Sequence, residues 1–269
     1  MGPARATLSI RLFGRLEVLA GDVQVRITGR HAQALTALLA LRPRPRLRDA
    51  IAAELWPDSD GPSAASLRQA LWLVRSGLAT AGLEPDAWLE ADQETLGLQS
   101  GATLDLDVTT FERLAETAGG TANEETALSL YRGDLLEGLG HECFAAERER
   151  LSDCYEDLLA RVASARLARG DVIGARLAAT ELLGRDPLRE EAHAVLIAAY
   201  GLAGSRSQVV RQYRRVCSIL RSELAVSPLP ETDAAYRVAL AAAASKSSER
   251  AATIVYDPAP FIPILVNSA

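Results

Sequence analysis

The residues whose types and spacing could do chemistry fall into two groups. Ser66, Arg68, Gln69, Trp72 and Arg75 recur at helical spacing in "SAASLRQALWLVRSGL", Ser63 to Leu78. Arg can hold guanine bidentately and Gln can hold adenine, so such a face has the chemistry for reading base edges in a major groove. Just upstream, Arg44, Arg46 and Arg48 alternate in "RPRPRLR", where they could meet phosphates. The second group is "HECFAAE", with His141, Glu142, Cys143 and Glu147. A His and a Cys two apart could share a metal, but no second ligand pair at the usual spacing follows. A structural loop is the expected role.

Little else suggests catalysis. There is no Gly-rich phosphate loop with a following Lys and no GxSxG. His31 opens a predicted helix and His193 lies inside one, so both read as packed or solvated residues. Glu147, Glu149, Asp153, Glu156 and Asp157 read as a solvated helix face. No catalytic residue, metal or cofactor is expected.

The elements that must carry these residues are legible from periodicity. Residues 7–27 alternate, with Leu8, Ile10, Leu12, Leu16, Val18, Val23, Val25 and Ile27 on one side. Period two predicts half-buried strands, here a three-stranded antiparallel sheet with turns at Gly14 and Gly21. Helices are expected over His31–Leu41, Arg48–Leu55 and from Ser63 to Gly77 or Gly82, with Ser63 as a helix cap. "WLEADQETLGLQ", Trp88 to Gln99, reads as a hairpin. Sheet, three helices and hairpin are the order of a winged helix, whose third helix enters the major groove and whose hairpin is the wing.

From Asp107 the pattern is helical throughout, with helices expected over 108–118, 124–131, 144–169, 172–183, 188–203, 207–224 and 231–243. "ARGDVIGARLAATELL" and "LAGSRSQVVRQYRRVC" align with Gly170 on Gly204, 34 residues apart. That is the period of tetratricopeptide helix pairs, which stack and leave a face for a partner. "DPLREEA" at Asp186 and "SPLPETD" at Ser227 each place a capping residue before a Pro at the first helical position. Lys246 to Arg250 reads as a linker. Thr253 to Val266 is apolar, broken by Pro258, Pro260 and Pro263, and reads as an unstructured tail or a docked strand.

Composition fits this division. The chain has 269 residues and a net charge of −6, which excludes a uniform polycation. Yet residues 1–83 hold 11 Arg against 6 acids, a basic head on an acidic body. Three cysteines with no CxxC make a poor disulfide framework, and no apolar run spans a bilayer. A cytoplasmic protein with free thiols is expected.

The ordered pieces "LSIRLFGRLEV", "ELWPD", "ASLRQAL", "DLDVTTFERL", "YRGDLLEGL", "AAERERL", "DPLREEAHAVLIAAY" and "SELAVSPLPET" together resemble the SARP-type bacterial transcriptional regulators. The resemblance implies a fold that is mainly α with a small β part. An N-terminal winged helix with an extra antiparallel sheet (1–102) precedes an all-α tetratricopeptide-like activator domain (103–244), then a linker and tail (245–269). It implies double-stranded promoter DNA as a partner, with a homodimer, RNA polymerase or another protein on the helical domain. DNA contact would fall to Arg44, Arg46, Arg48, Ser66, Arg68, Gln69, Trp72 and Arg75. Two departures oppose this. The family usually continues "LRQAL" with several basic residues, where this chain has Trp72, Leu73, Val74, Arg75 and Ser76, and the wing carries Glu90, Asp92 and Glu94. With Leu67 at zero and 100° per residue, Trp72 and Leu73 turn away from the core stripe of Leu67, Leu71, Val74 and Leu78. An outward Trp–Leu pair predicts an interface in which Trp72 is buried by protein, within the chain or in a dimer. A protein-interaction module whose winged helix has lost DNA binding is therefore the alternative function.

Overall fold

The computed structural model describes residues 7–57, 63–99, 103–116 and 121–253, with positions 63, 121 and 247–253 described by backbone alone. The expected cap by the Ser63 side chain and the apolar stretch past Thr253 lie outside the described residues. Packing divides the chain into two compact units, up to Leu158 and from Leu159 onward.

The first unit contains strands β1 (Leu8–Arg11), β2 (Glu17–Ala20), β3 (Val23–Gln24), β4 (Arg46–Leu47), β5 (Leu89–Ala91), β6 (Thr95–Leu98) and β7 (Leu104–Leu106). Its helices are α1 (Arg30–Leu41), α2 (Arg48–Leu55), α3 (Ser63–Thr80), α4 (Asp107–Glu116), α5 (Thr121–Leu130) and the first part of α6 (Ala145–Ala168). The predicted antiparallel meander forms, with Leu8 opposite Ala20 and Ile10 opposite Val18. The sheet has a fourth strand, however. β7 pairs parallel to β1, with Leu8 opposite Leu104, giving the order β3-β2-β1-β7. Three residues are too few for alternation to announce a strand, which is why β7 was not expected.

The helical core of this unit follows the sequence pattern. Leu67, Leu71, Val74 and Leu78 of α3 are buried, as are Ala34, Leu35 and Leu38 of α1 and Ile51 and Leu55 of α2. Each large apolar side chain so buried contributes roughly 1.5–3 kcal/mol. Leu8, Ile10 and Val18 of the sheet meet Val74, Leu78, Trp88 and Leu89 across the same core.

A second hydrophobic centre sits where "LFG" meets residues 105–139. Phe13 packs edge-on against Phe111 at 5.1 Å and against Tyr131 at 4.6 Å, and Tyr131 stacks on Tyr155 at 3.9 Å. The backbone is tied as well: Gly14 N–H donates to Asp134 O, Leu136 N–H to Leu12 O and Glu137 N–H to Gly14 O. The buried Asp107 carboxylate accepts from Leu12 N at 2.9 Å and from Phe13 N at 3.1 Å. Burial pushes its carboxyl up, and the three backbone donors around it oppose that. These contacts place residues 104–158 in the same packing unit as the head, so the packing boundary falls inside α6 and does not coincide with the expected division at 102/103.

The second unit contains the rest of α6, then α7 (Val172–Arg185), α8 (Glu190–Leu202), α9 (Arg206–Glu223) and α10 (Pro230–Thr253). The 34-residue repeat is structural. Gly170 and Gly204 both take positive φ, +80° and +74°, and each ends a helix in the same way. Asp171 N–H donates to Arg166 O and Ser205 N–H to Tyr200 O. α8 packs against α7, α9 and α10 around Ile197, Val209 and Ala239, with Tyr200 and Tyr213 against them.

Three details depart from expectation. α8 begins at Glu190 and α10 at Pro230, so Asp186 and Ser227 are not their caps. Asp186 instead accepts from Leu188 N at 2.8 Å in a turn of its own, and the start of α10 is held by Glu190, which accepts from Leu229 N and Thr232 Oγ1. α10 also runs through Lys246–Arg250 rather than ending in a linker there. No Gly or Pro interrupts this Ala- and Ser-rich stretch, and Lys246 Nζ donates to Leu202 O at the end of α8.

Candidate nucleic-acid interface

α3 stands on α1 and α2 with its apolar stripe inward, so its other face must meet solvent or a partner. Ser66, Arg68 and Gln69 are exposed on that face, and Trp72 is 64% exposed. The within-chain form of the expected Trp72 burial is thereby overturned. Leu73 behaves differently. It is half-buried, and a Cβ added at Gly29 would lie 3.3 Å from its Cδ1, so Leu73 packs on the bare backbone where α1 begins. The Trp–Leu pair is thus split, with Trp72 on the open surface and Leu73 half-buried against Gly29.

The wing forms as expected from β5 and β6, and gains β4 as a third strand in the order β4-β6-β5. The prolines of "RPRPR" separate α1 from α2, since neither can continue a helix, and its last residue, Arg46, opens the edge strand β4. Leu98 N–H donates to Pro43 O, and Arg46 pairs with Leu96. A Cβ at Gly97 would lie 2.6 Å from Pro45 Cα, so only Gly lets the strands close here.

The wing turn is built on Asp92. Its carboxylate accepts from Thr95 N at 2.6 Å, Glu94 N at 2.8 Å and Thr95 Oγ1 at 2.9 Å. Those bonds, the Thr95 amide foremost, hold its carboxyl below the ordinary 3.8. Arg48 donates to Asp92 O at 2.7 Å. Arg48, Asp49, Arg68 and Asp92 line one notch between α3 and the wing.

The remaining arginines are arranged less simply. Arg44 is exposed. Arg46 donates to Glu54 Oε2 at 2.6 Å, and Arg42 pairs with the other oxygen of Glu54. Arg75 pairs with Asp86. Neither acid was anticipated, because partners 8 and 11 residues apart in different elements leave no periodic signal. The structure therefore groups Arg48, Arg68, Gln69, Ser66 and Trp72 around the outer side of α3 and the notch, and ties Arg46 and Arg75 to carboxylates.

With this geometry in hand, the comparisons are informative. The family model of the bacterial transcriptional activator domain matches residues 106–240. The chain belongs to that family. Mycobacterium tuberculosis EmbR, solved in complex with a low-affinity phosphopeptide, is similar at 25% identity with a TM-score of 0.70, over 92% of this chain and 70% of that chain. No curated protein matches. The architecture is that of a SARP-type transcriptional regulator, a winged helix with an added sheet leading into tetratricopeptide-like helices.

The activator domain match takes in "HECFAAE", and the structure gives this motif its role. His141 Nε2 lies 3.5 Å from His31 Nδ1, which accepts from Trp56 Nε1 at 2.9 Å. Arg30 donates to Gly138 O, and the short 3-10 turn Glu142–Phe144 packs on α2. The motif is a loop seated on the winged helix. Among the described residues no three His, Cys, Asp or Glu side chains form a metal-binding group, and no helix is long and apolar enough to cross a membrane. Glu147 is not simply solvated: Arg150 joins it to Glu112.

Two histidines, the half-buried His141 and the buried His193, predict a pH effect. His141 lies below the ordinary 6.5 through burial, then through His31 and Arg30; His193 lies below it through burial, offset in part by its bond to Pro187 O. His193 Nδ1 also meets Gln212 Nε2 at 2.8 Å, which sets its proton on Nε2. Because the folded values are depressed, the unfolded chain binds protons first as pH falls below 6.5. Their contribution to stability is full above that pH and is lost below it. A urea midpoint that falls between pH 7.5 and about 5.5, with a smaller fall in His193→Gln, is the expected result.

Proposed function

We propose that this chain binds double-stranded DNA through its winged helix, with α3 in the major groove, and that the activator domain contacts a second copy or a protein of the transcription machinery. One observation carries the reading: the face of α3 opposite its buried stripe presents Ser66, Arg68, Gln69 and Trp72 to the outside, beside the wing. Arg68 and Gln69 have the donors for guanine and adenine, and Trp72 can lie along the sugar–phosphate wall. Arg44 and Arg48 would meet phosphates. Arg46 and Arg75 would first have to leave Glu54 and Asp86, so their contribution is expected to be smaller.

The test is an anisotropy titration of the full chain with duplex DNA across salt, since true binding falls steeply as salt rises. Arg68→Ala should cost about 1–3 kcal/mol and relax preference at one base pair, whereas Arg48→Ala should weaken all sequences alike. An unchanged affinity in Arg68→Ala would remove α3 as the reader.

The second reading, a protein-binding winged helix without DNA affinity, draws on the exposed Trp72 and the acids Glu90, Asp92 and Glu94 of the wing. It expects no salt-dependent duplex binding, and burial of Trp72 in an oligomer or complex.

A further inference from the structure

The outer face of α9 carries charge that nothing else in the fold accounts for. Residues 103–158 hold 14 acids against 4 Arg, whereas from Leu159 onward 14 Lys and Arg stand against 10 acids, a net +4. α9 alone has five Arg and one Glu, which equals that whole excess. Its buried stripe is Val209, Gln212, Val216 and Leu220, turned toward α8 and α10. Diametrically opposite lie Arg211, Arg214, Arg215 and Arg221 with Ser207 and Ser218 between them, all exposed. At 100° per residue these fall within an arc of about 120°. None of the four arginines has an ion pair or hydrogen bond among the described residues. Elsewhere the chain readily pairs its arginines, as Arg46, Arg75, Arg150 and Arg189 each hold a carboxylate.

The composition of this arc decides between polyanions. Protein interfaces are centred on buried apolar and aromatic anchors with polar groups at the rim. This arc has no apolar residue at its centre, only guanidinium and hydroxyl donors. That is the donor set used on phosphate oxygens, where Arg and Ser fix position without reading sequence. From Arg211 to Arg221 the helix advances about 15 Å. Duplex DNA presents roughly nine phosphate charges over that length.

We infer that the exposed arginine face of α9 is a second, sequence-independent contact for the phosphate backbone of duplex DNA. It rests on the DNA-binding reading above only in taking the same ligand. The experiment uses the full chain carrying Arg211→Gln, Arg214→Gln, Arg215→Gln and Arg221→Gln together, which removes the charges and keeps a polar side chain of similar helix propensity. Affinity for duplexes of several sequences is measured by anisotropy from low to high salt. Binding is expected to weaken at least about tenfold on every sequence, and the log–log salt slope to flatten by about 3–4. Ser218→Glu, a single charge on the same arc, should weaken binding in the same direction and guards against misfolding of the fourfold variant.

Wild-type affinity and slope in either variant, with an unchanged circular dichroism spectrum, overturns the inference. Arg68→Ala run in parallel separates the two readings. Lost sequence preference in Arg68→Ala beside an unaffected α9 variant leaves the reading helix standing and removes α9. The reverse result leaves α9 standing alone. If the wild type binds no duplex but binds poly-glutamate through these arginines, the face takes an acidic polypeptide and the inference is wrong.

Discussion

Asp107→Ala is expected to lower the stability of the first unit by about 3 kcal/mol. The carboxylate is 7% exposed and accepts from the amides of Leu12 and Phe13. Alanine leaves both donors buried without a partner, and each such orphan costs roughly 1–3 kcal/mol. Asp107→Asn keeps one acceptor oxygen and should lose about half as much. Urea unfolding followed by circular dichroism reads the difference. Equal midpoints for wild type and Asp107→Ala would mean that water reaches Leu12 and Phe13, against the burial seen here.

The second large effect concerns a chain that begins at residue 104. The sequence division at 102/103 expects such a piece to fold alone. The packing predicts otherwise. It lacks Phe13, which sits between Phe111 and Tyr131, and it lacks β1, the only described strand that β7 pairs with. Leu135 and Leu136, wholly buried in the full chain, lose the backbone bonds to residues 12–14 that hold their loop. Loss of a single buried Phe costs about 3–5 kcal/mol, a large share of a domain's 5–15. Hydrogen exchange should find α4 and α5 unprotected in the fragment while residues in α8 stay protected. Full protection of α4 would show that the activator domain stands without the head.

These two results explain where the sequence was legible. α1, α2, α3 and the wing could be placed because their apolar residues repeat at 3.6 or 2, and Gly170 and Gly204 betrayed the repeat because a positive φ favours glycine. The outward face of α3 could be read for the same reason: Leu67, Leu71, Val74 and Leu78 fix what is inside, so Arg68, Gln69 and Trp72 must be outside. What could not be read depends on pairs far apart in the chain. β7 is three residues long and identified only by its partner 96 residues earlier. Glu54 and Asp86, which restrain Arg46 and Arg75, sit on the next element in each case and are invisible without the fold that turns them back. Leu73 looked outward on a wheel and found Gly29, because a glycine at a helix start opens a recess that no periodicity records.

The pairing of Leu8 with Leu104 also bears on how the protein is made. While the winged helix leaves the ribosome, β1 has β2 on one side and a bare edge on the other. At about 5–20 residues per second, the missing strand follows roughly 5–20 s later. Through that interval Leu8 and Ile10 lie on an unfinished sheet, and the amides of Leu12 and Phe13 await the carboxylate that will cap them. Native closure of the head is thus timed by synthesis of its neighbour, and a nascent chain stalled before residue 107 should be a target for chaperones and for pairing with other open edges.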